Sequence, residues 1–194
     1  MFPLVLEVPG TSRTFHERKD ILFVGGFQHQ PNVDAVKFFV AEVMPELRRE
    51  CSGVKFLAAG SNAPEDIKAL ACDDVEILGF VDDLHALMDR VVLSVAPLRY
   101  GAGIKGKIGT SLAAGLPVVS TTIGVEGMNL KAGIDVLVAD DVEEFVKAIK
   151  LLMQDEELWN NVSESGLATA ESLWGNTASK KLLGDILQTL NLPS

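Results

Sequence analysis

The chain has 194 residues, of which 47% are hydrophobic and 23% are charged, and its formal net charge is −10. This length suits one large domain or two small ones, and the acidic balance argues against a general nucleic-acid-binding protein, which would carry a basic excess. No apolar run approaches the roughly 18 residues that would predict a transmembrane helix.

Residues 1–20 contain two prolines, mixed charge and no periodic pattern. We therefore expect a linker or tail without a regular element. The first ten residues lack a basic start and include Glu7, so they do not predict a signal peptide.

From residue 21 onward, short apolar runs alternate with segments of helical periodicity. The runs that predict buried strands are residues 21–25, 54–59, 75–78, 91–96, 117–121 and 135–139. Helices are predicted over roughly 31–49, with a kink or boundary at Pro45, and over 64–71, 84–90, 106–114, 142–154, 155–173 and 176–191.

This alternation predicts an α/β fold over residues 21–194, a Rossmann-like parallel sheet of about six strands with helices on both faces. Ligands of such sheets bind beyond the carboxyl ends of the strands. The candidate site therefore lies in the loops 25–31, 60–63, 79–83, 97–107 and 121–128.

The most informative loop follows the fourth predicted strand. It carries three glycines within six residues, Gly101, Gly103 and Gly106, together with Lys105 and Lys107. Glycines let a backbone approach a ligand, and the N-terminus of the next helix offers unpaired N–H groups and a partial positive charge. The loop therefore predicts an anion site, most simply for phosphate.

The charge pattern around this loop points the same way. Residues 90–125 contain no Asp or Glu, although random scatter of the 27 acidic residues would place about five there. The same window holds four basic residues, Arg90, Arg99, Lys105 and Lys107. A buried strand–helix–strand unit would also exclude acids, but it would not explain the lysines in the loop.

Two general phosphate motifs match the loop. Residues 101–106 fit G-x-G-x-x-G, and Glu126 lies where an acid could reach a ribose, so a nicotinamide-dependent oxidoreductase domain is one alternative. That fingerprint normally follows the first strand rather than the fourth. Residues 101–107 also fit G-x-x-x-x-G-K, but Ile108 replaces the hydroxyl residue that would hold Mg²⁺. A non-catalytic nucleotide-binding module is a further alternative.

A resemblance to a known family covers far more of the chain, from about residue 21 to the end. It rests on the blocks 23–39, 75–84, 96–121 and 125–128, in this order and spacing. They resemble the C-terminal, donor-binding domain of retaining GT-B glycosyltransferases, in the bacterial group 1, family 4-like set that includes capsule and exopolysaccharide enzymes. The resemblance implies one half of a GT-B fold that binds a nucleotide-diphosphate sugar.

The resemblance also implies where the donor lies. Its diphosphate would contact the glycine turn after the first strand and the turn 103–107, and its base would lie near Gly79, Phe80 and Val81. Many members carry two glutamates around this loop, and the matching positions here are Ala102 and Thr110. The basic pair that usually follows the first strand is missing, which leaves His29 and Asn32 as the candidate contacts in that turn. The donor-binding candidates are Gly25, Gly26, His29, Gly79, Phe80, Val81, Arg99, Gly101, Gly103, Ile104, Gly106, Thr110 and Glu126.

Glycosyl transfer leaves negative charge on the departing diphosphate, which fixed cations and aligned amides can stabilise without a metal. Our hypothesis gives this catalytic role to Lys107 and Lys105, so we expect no metal and no cofactor beyond the nucleotide-sugar substrate. Cys51 and Cys72 lack metal-ligand spacing and are too few for a disulfide framework, which favours a reducing cytoplasm.

The resemblance further implies a missing partner, an N-terminal acceptor domain without which the chain would transfer little. Residues 1–20 would then be the interdomain linker, and the full-length protein could be peripheral to the membrane. The last predicted helix carries an apolar stripe for packing or association, formed by Leu182, Leu183, Ile186, Leu187 and Leu190.

Overall fold

A computed structural model describes residues 5–176 and 180 of the protein. Each of the six predicted apolar runs overlaps a strand, and the third strand extends one residue beyond its run, to Gly79. The strands are β1 (Ile21–Val24), β2 (Phe56–Ala59), β3 (Val75–Gly79), β4 (Leu93–Ala96), β5 (Val118–Ser120) and β6 (Leu137–Val138).

All strand pairs in the sheet are parallel, and the strand order is β3-β2-β1-β4-β5-β6. In chain order, β2 and β3 are added on one side of β1, and β4, β5 and β6 are then added on the other side. Ile21 of β1 is therefore in register with Phe56 on one side and with Leu93 on the other. Such a reversal of strand order opens a crevice at the carboxyl ends of β1 and β4.

The helices cover both faces of the sheet, as the sequence predicted. They are α1 (Gln30–Phe38), α2 (Met44–Glu50), α3 (Glu65–Lys68), α4 (Leu84–Met88), α5 (Gly106–Ala113), α6 (Thr122–Val125), α7 (Val142–Gln154) and α8 (Glu156–Trp174). A π-helical turn, Phe39–Val43, joins α1 to α2. Pro45 lies in the first turn of α2, so the boundary predicted at Pro45 is confirmed; a proline is tolerated there because it has no N–H for the regular hydrogen-bond ladder.

The side chains of β1 show how the two faces are filled. On one face of the sheet, Ile21 and Phe23 belong to the same buried cluster as phenylalanine side chains from α1 and α7. On the opposite face, Leu22 packs with Leu57 and Leu87. Successive strand residues point to opposite sides, so an all-apolar strand needs a helical layer on each side. Burial on both faces holds β1 and its exit loop in place.

Residues 5–20 pack against the domain. The amide N–H of Leu6 donates to the carbonyl of Trp174, and that of Gly10 donates to Ala113. The segment contains a 3₁₀ helix, Phe15–Glu17, where the sequence predicted no regular element, because three residues are too few to show a period. The role of residues 1–20 as an interdomain linker stays a prediction.

Two further sequence expectations concern the last predicted helix and membrane-spanning helices. The predicted helix 176–191 and its apolar stripe lie almost entirely outside the described residues. In the part of the chain that the structure describes, no helix has the length and apolar character needed to cross a bilayer.

Candidate anion-binding site

The crevice at the switch point is bounded by the loops that follow β1 and β4. These loops approach each other closely, since a Cβ added to Gly101 would lie 3.3 Å from Cγ of Pro31 at the start of α1. Gly101 and Gly103 have φ values of +123° and +84°, which side-chain-bearing residues rarely adopt. The glycine spacing is therefore what lets the second loop fold back toward the first.

The turn after β1 is fixed by the neighbouring loop. The N–H of Gly25 donates to the carbonyl of Ala59 at 2.9 Å, and the N–H of Gly60 donates to the carbonyl of Gly79 at 2.8 Å. A Cβ on Gly60 would lie 2.0 Å from the carbonyl oxygen of Gly25. Gly60 thus allows three successive exit loops to pack backbone to backbone, a role that the sequence analysis did not assign to it.

Lys107, in the first turn of α5, extends its ammonium into this crevice. Its Nζ donates to Oδ1 of Asn32 and lies 4.6 Å from the ring centroid of Phe23. A Cβ on Gly25 would lie 2.9 Å from the same Nζ. The Lys107 ammonium therefore reaches the turn after β1.

Lys107 carries an unusual charge environment. Burial and, as a smaller cause, the positive charge of Lys105 together lower the pKa of Lys107 to about 8. Among the described residues, no carboxylate forms an ion pair with Lys107. A cation held without a counter-ion in a partly buried crevice is suited to an anionic ligand.

Lys105 contributes mainly to the shape of the loop. Its Nζ donates to the carbonyls of Gly101 and Gly103, at 3.1 and 2.6 Å. Lys105 also occupies the N-cap position of α5, where no side chain caps the helix. Because α5 follows β4, its first amides and the positive end of its dipole lie at the carboxyl edge of the sheet.

Arg99 is committed to an ion pair. Its Nε lies 2.9 Å from Oδ2 of Asp34 in α1, and its guanidinium carbon lies 5.0 Å from the ring centroid of Phe38. The hydrogen bond to Asp34 raises the pKa of Arg99. The sequence identified this arginine as a donor contact, and the structure places it as a link between the second loop and α1.

Four of the remaining candidates are exposed or half-buried in the loops at the carboxyl ends of the strands. His29 is exposed at the N-cap of α1, and Ile104 is exposed in the second loop. Phe80 is 74% exposed after Gly79, whose φ is +70°, and Val81 follows it half-buried at the sheet edge.

Two candidates point away from the crevice or lie one strand further on. Thr110 donates its hydroxyl to the carbonyl of Gly106 at 2.9 Å and lines a separate cleft of about 330 Å³ beside residues 5–9 and α4. Glu126 is exposed at the end of α6, beyond β5. Gly25, Gly26, Gly101, Gly103, Gly106, Lys105 and Lys107 are the candidates that the fold brings together.

Sequence reasoning named Asn32 as a possible ligand contact but did not identify its pairing with Lys107, and it did not identify Asp34. Both pairings join residues more than 60 positions apart, since Lys107 and Asn32 are separated by 75 residues and Arg99 and Asp34 by 65. No local pattern signals contacts of this range.

A doubly wound parallel sheet with a lysine and a helix N-terminus at its switch point defines a Rossmann-like domain. The chain belongs to the glycosyl transferases group 1 family, whose model matches residues 18–155. This confirms the resemblance drawn from the sequence blocks and disfavours the oxidoreductase alternative.

Relatives and solved structures agree with this assignment. An uncharacterized 44.6 kDa protein in the cps region of Klebsiella pneumoniae is 29% identical over 140 residues, which are 67% of this chain and 36% of the relative. A Staphylococcus aureus TarM mutant in complex with fondaparinux, alpha-GlcNAc-glycerol and UDP has a TM-score of 0.77 at 15% identity, covering 95% of this chain and 38% of TarM.

Two further structures share the fold. Anabaena HepE in complex with UDP and glucose has a TM-score of 0.72 at 13% identity, covering 90% of this chain and 49% of HepE. Sucrose-phosphate synthase from Thermosynechococcus elongatus has a TM-score of 0.71 at 15% identity, covering 94% of this chain and 52% of the synthase. The chain thus spans about a third to a half of the length of these proteins.

Proposed function

We propose that the crevice between the loops after β1 and β4 binds the diphosphate of a nucleotide sugar, and that the chain is the donor-binding part of a retaining glycosyltransferase of the hexosyltransferase type. The observation that carries the proposal is the Lys107 ammonium, which lies between the turn after β1 and α5 and has no counter-ion within residues 5–176. The UDP present in the TarM and HepE structures supports the choice of ligand.

Transfer breaks the bond between the anomeric carbon of the sugar and the β-phosphate oxygen and forms a bond from that carbon to the oxygen of an acceptor hydroxyl, whose proton passes to the departing diphosphate. Negative charge builds on the departing diphosphate, while the sugar becomes oxocarbenium-like. Lys107 and the first amides of α5 are placed to stabilise that charge, which is the role that a metal ion has in other transferases. We propose that Lys105 acts by holding the loop in this shape, and that no metal or cofactor is required.

The acceptor would come from a further domain. Because the chain spans a third to a half of its relatives, we propose that transfer requires an acceptor-binding domain and that this chain alone binds donor but transfers little. The cps-region relative supports a role in polysaccharide biosynthesis. A cytoplasmic enzyme, peripheral to the membrane in its full-length form, fits this role.

Calorimetric titration with UDP, GDP, TDP, ADP and NAD tests the proposal. We expect one nucleoside diphosphate to bind, and Lys107→Ala to weaken it by roughly 10- to 100-fold, since a charge-assisted hydrogen bond is lost. Lys147→Ala is the matched control, because Lys147 is an exposed lysine on α7. Tight binding of NAD without any diphosphate, or unchanged affinity in Lys107→Ala, would show the proposal to be wrong.

A further inference from the structure

A single buried side chain spans both walls of the crevice. Asn32, in the first turn of α1, is 7% exposed. Its Nδ2 donates to the carbonyl of Gly26 at 2.7 Å, and its Oδ1 accepts from Nζ of Lys107. One amide group therefore joins the glycine turn after β1 to the cation of α5.

The space around this amide is closely filled. A Cβ on Gly25 would lie 2.7 Å from Nδ2 of Asn32 and 2.9 Å from Nζ of Lys107, so only glycine leaves room for both groups. The ring of Phe23 lies on another side of the ammonium, 4.6 Å away. The Lys107 ammonium is thus confined by Asn32, Gly25 and Phe23 to one place at the carboxyl end of β1.

The amide is also held in one orientation. An ammonium only donates hydrogen bonds and a carbonyl only accepts them, so Oδ1 must face Lys107 and Nδ2 must face Gly26. The reverse orientation would set donor against donor and acceptor against acceptor. Both contacts of Asn32 therefore act together, and neither survives rotation of the amide.

The neutrality of Asn32 matters for an anion site. An aspartate of the same shape would also reach Lys107, but it would cancel the positive charge and could not donate to Gly26. An amide fixes the ammonium while leaving its charge available. One N–H of the ammonium points to Asn32, and the others remain for phosphate oxygens.

We propose that Asn32 is a positioning residue that aims the Lys107 ammonium at the donor diphosphate and holds the Gly26 turn at the same time. The inference rests on the proposed function, because it needs a diphosphate in the crevice. It goes beyond that function because it makes Asn32, an uncharged residue, responsible for the position of the Lys107 ammonium.

The test compares Asn32→Asp with Asn160→Asp, which makes the same change at an exposed position on α8. Two quantities are measured, the affinity for UDP or the diphosphate that binds best by calorimetry, and the pKa of Lys107 by NMR of labelled lysine side chains. We expect Asn32→Asp to weaken binding by about tenfold or more and to raise the pKa of Lys107, since a carboxylate stabilises the charged ammonium. Asn160→Asp should change neither.

A smaller variant guards against a folding defect. Asn32→Ser is small enough to fit, but its hydroxyl is one bond shorter than the amide and cannot hold both partners, so the affinity for the diphosphate should also fall by about tenfold. Unchanged diphosphate affinity in the Asn32 variants, beside a weakened Lys107→Ala, would overturn the role of Asn32 alone. A wild-type chain that binds no nucleoside diphosphate would overturn this role together with the proposed function.

Discussion

Arg99 and Asp34 form an ion pair across the switch point, with Nε of Arg99 2.9 Å from Oδ2 of Asp34. The pair ties the glycine loop after β4 to the helix after β1. Arg99 is about half exposed and Asp34 is 22% exposed, so the link lies at the mouth of the crevice. The ion pair therefore makes Arg99 a residue that holds the glycine loop in place against α1.

This geometry predicts that Arg99→Ala and Asp34→Ala have similar, small effects on diphosphate affinity. Each should lower the diphosphate affinity by up to about fivefold, because an exposed pair contributes less than about 1 kcal/mol. The loss of binding free energy in the double variant should not exceed the sum of the losses in the two single variants. Calorimetry measures the diphosphate affinity of all three. A much larger loss in Arg99→Ala than in Asp34→Ala would instead show direct contact between Arg99 and the donor, as the sequence analysis expected.

The lowered pKa of Lys107 predicts a pH-dependent affinity. The protonated ammonium binds the diphosphate, and the pKa of Lys107 is about 8 in the folded protein. Affinity for the nucleoside diphosphate should therefore fall as the pH rises above about 8, and it should level off only above the higher pKa that Lys107 has beside the bound anion. Calorimetry between about pH 7 and pH 10 measures this, and Lys107→Met should remove the dependence.

The same group affects stability with the opposite sign. The ordinary lysine pKa is 10.5, so between pH 8 and 10.5 the unfolded chain binds a proton that folded Lys107 has released. Through this group, the free energy of unfolding should rise with pH over that window. Denaturant unfolding of wild type and Lys107→Met measures the difference. A rise of equal size in both proteins would contradict the lowered pKa.

Asp89, in the loop after α4, ties residues 11–18 to the domain. Burial alone would raise its pKa, but hydrogen bonds from Ser12 and Thr11 and the charge of Arg18 outweigh burial and lower the pKa to about 2. The guanidinium of Arg18 is fully buried, with Nη2 3.0 Å from Oδ1 of Asp89. This carboxylate therefore stabilises the fold mainly in its charged form.

Asp89→Asn should lower the free energy of unfolding at neutral pH by about 3 kcal/mol, because it leaves a buried arginine without its counter-charge. The contribution of Asp89 is fully present above its ordinary pKa of 3.8 and is lost as the pH falls toward about 2. Acid unfolding should thus be steeper in wild type than in Asp89→Asn. Asp82→Asn, at an exposed position, is the control and should behave as wild type.

Some of this structure follows from local sequence and some does not. The strands were predictable because each lies in a short apolar run, and β1, β2, β4 and β5 are buried along most or all of their length. Helix α6 was missed because it spans one turn and depends on Thr121, whose hydroxyl accepts from the N–H of Gly124. The glycine loop identified Lys107 from local pattern, whereas its partner Asn32 lies 75 residues earlier and only the packed fold reveals the contact.

The glycines at positions 60 and 106 make a final, contrasting prediction. A Cβ on Gly60 would lie 2.0 Å from the carbonyl oxygen of Gly25, and backbone cannot move aside as a flexible side chain can. Gly60→Ala should therefore lower the free energy of unfolding by about 1–3 kcal/mol and displace the turn after β1. Because that turn forms one wall of the crevice, diphosphate affinity should fall with it.

Gly106 is different, since a Cβ there meets nothing within 4 Å. It is the first residue of α5, so Gly106→Ala should leave the free energy of unfolding unchanged or raise it by less than about 1 kcal/mol. If the diphosphate approaches the backbone of α5 closely, the new methyl group occupies its place and affinity falls by about tenfold or more. Denaturant unfolding and calorimetry on both variants separate the two effects. Wild-type affinity in Gly106→Ala would place the diphosphate away from the start of α5.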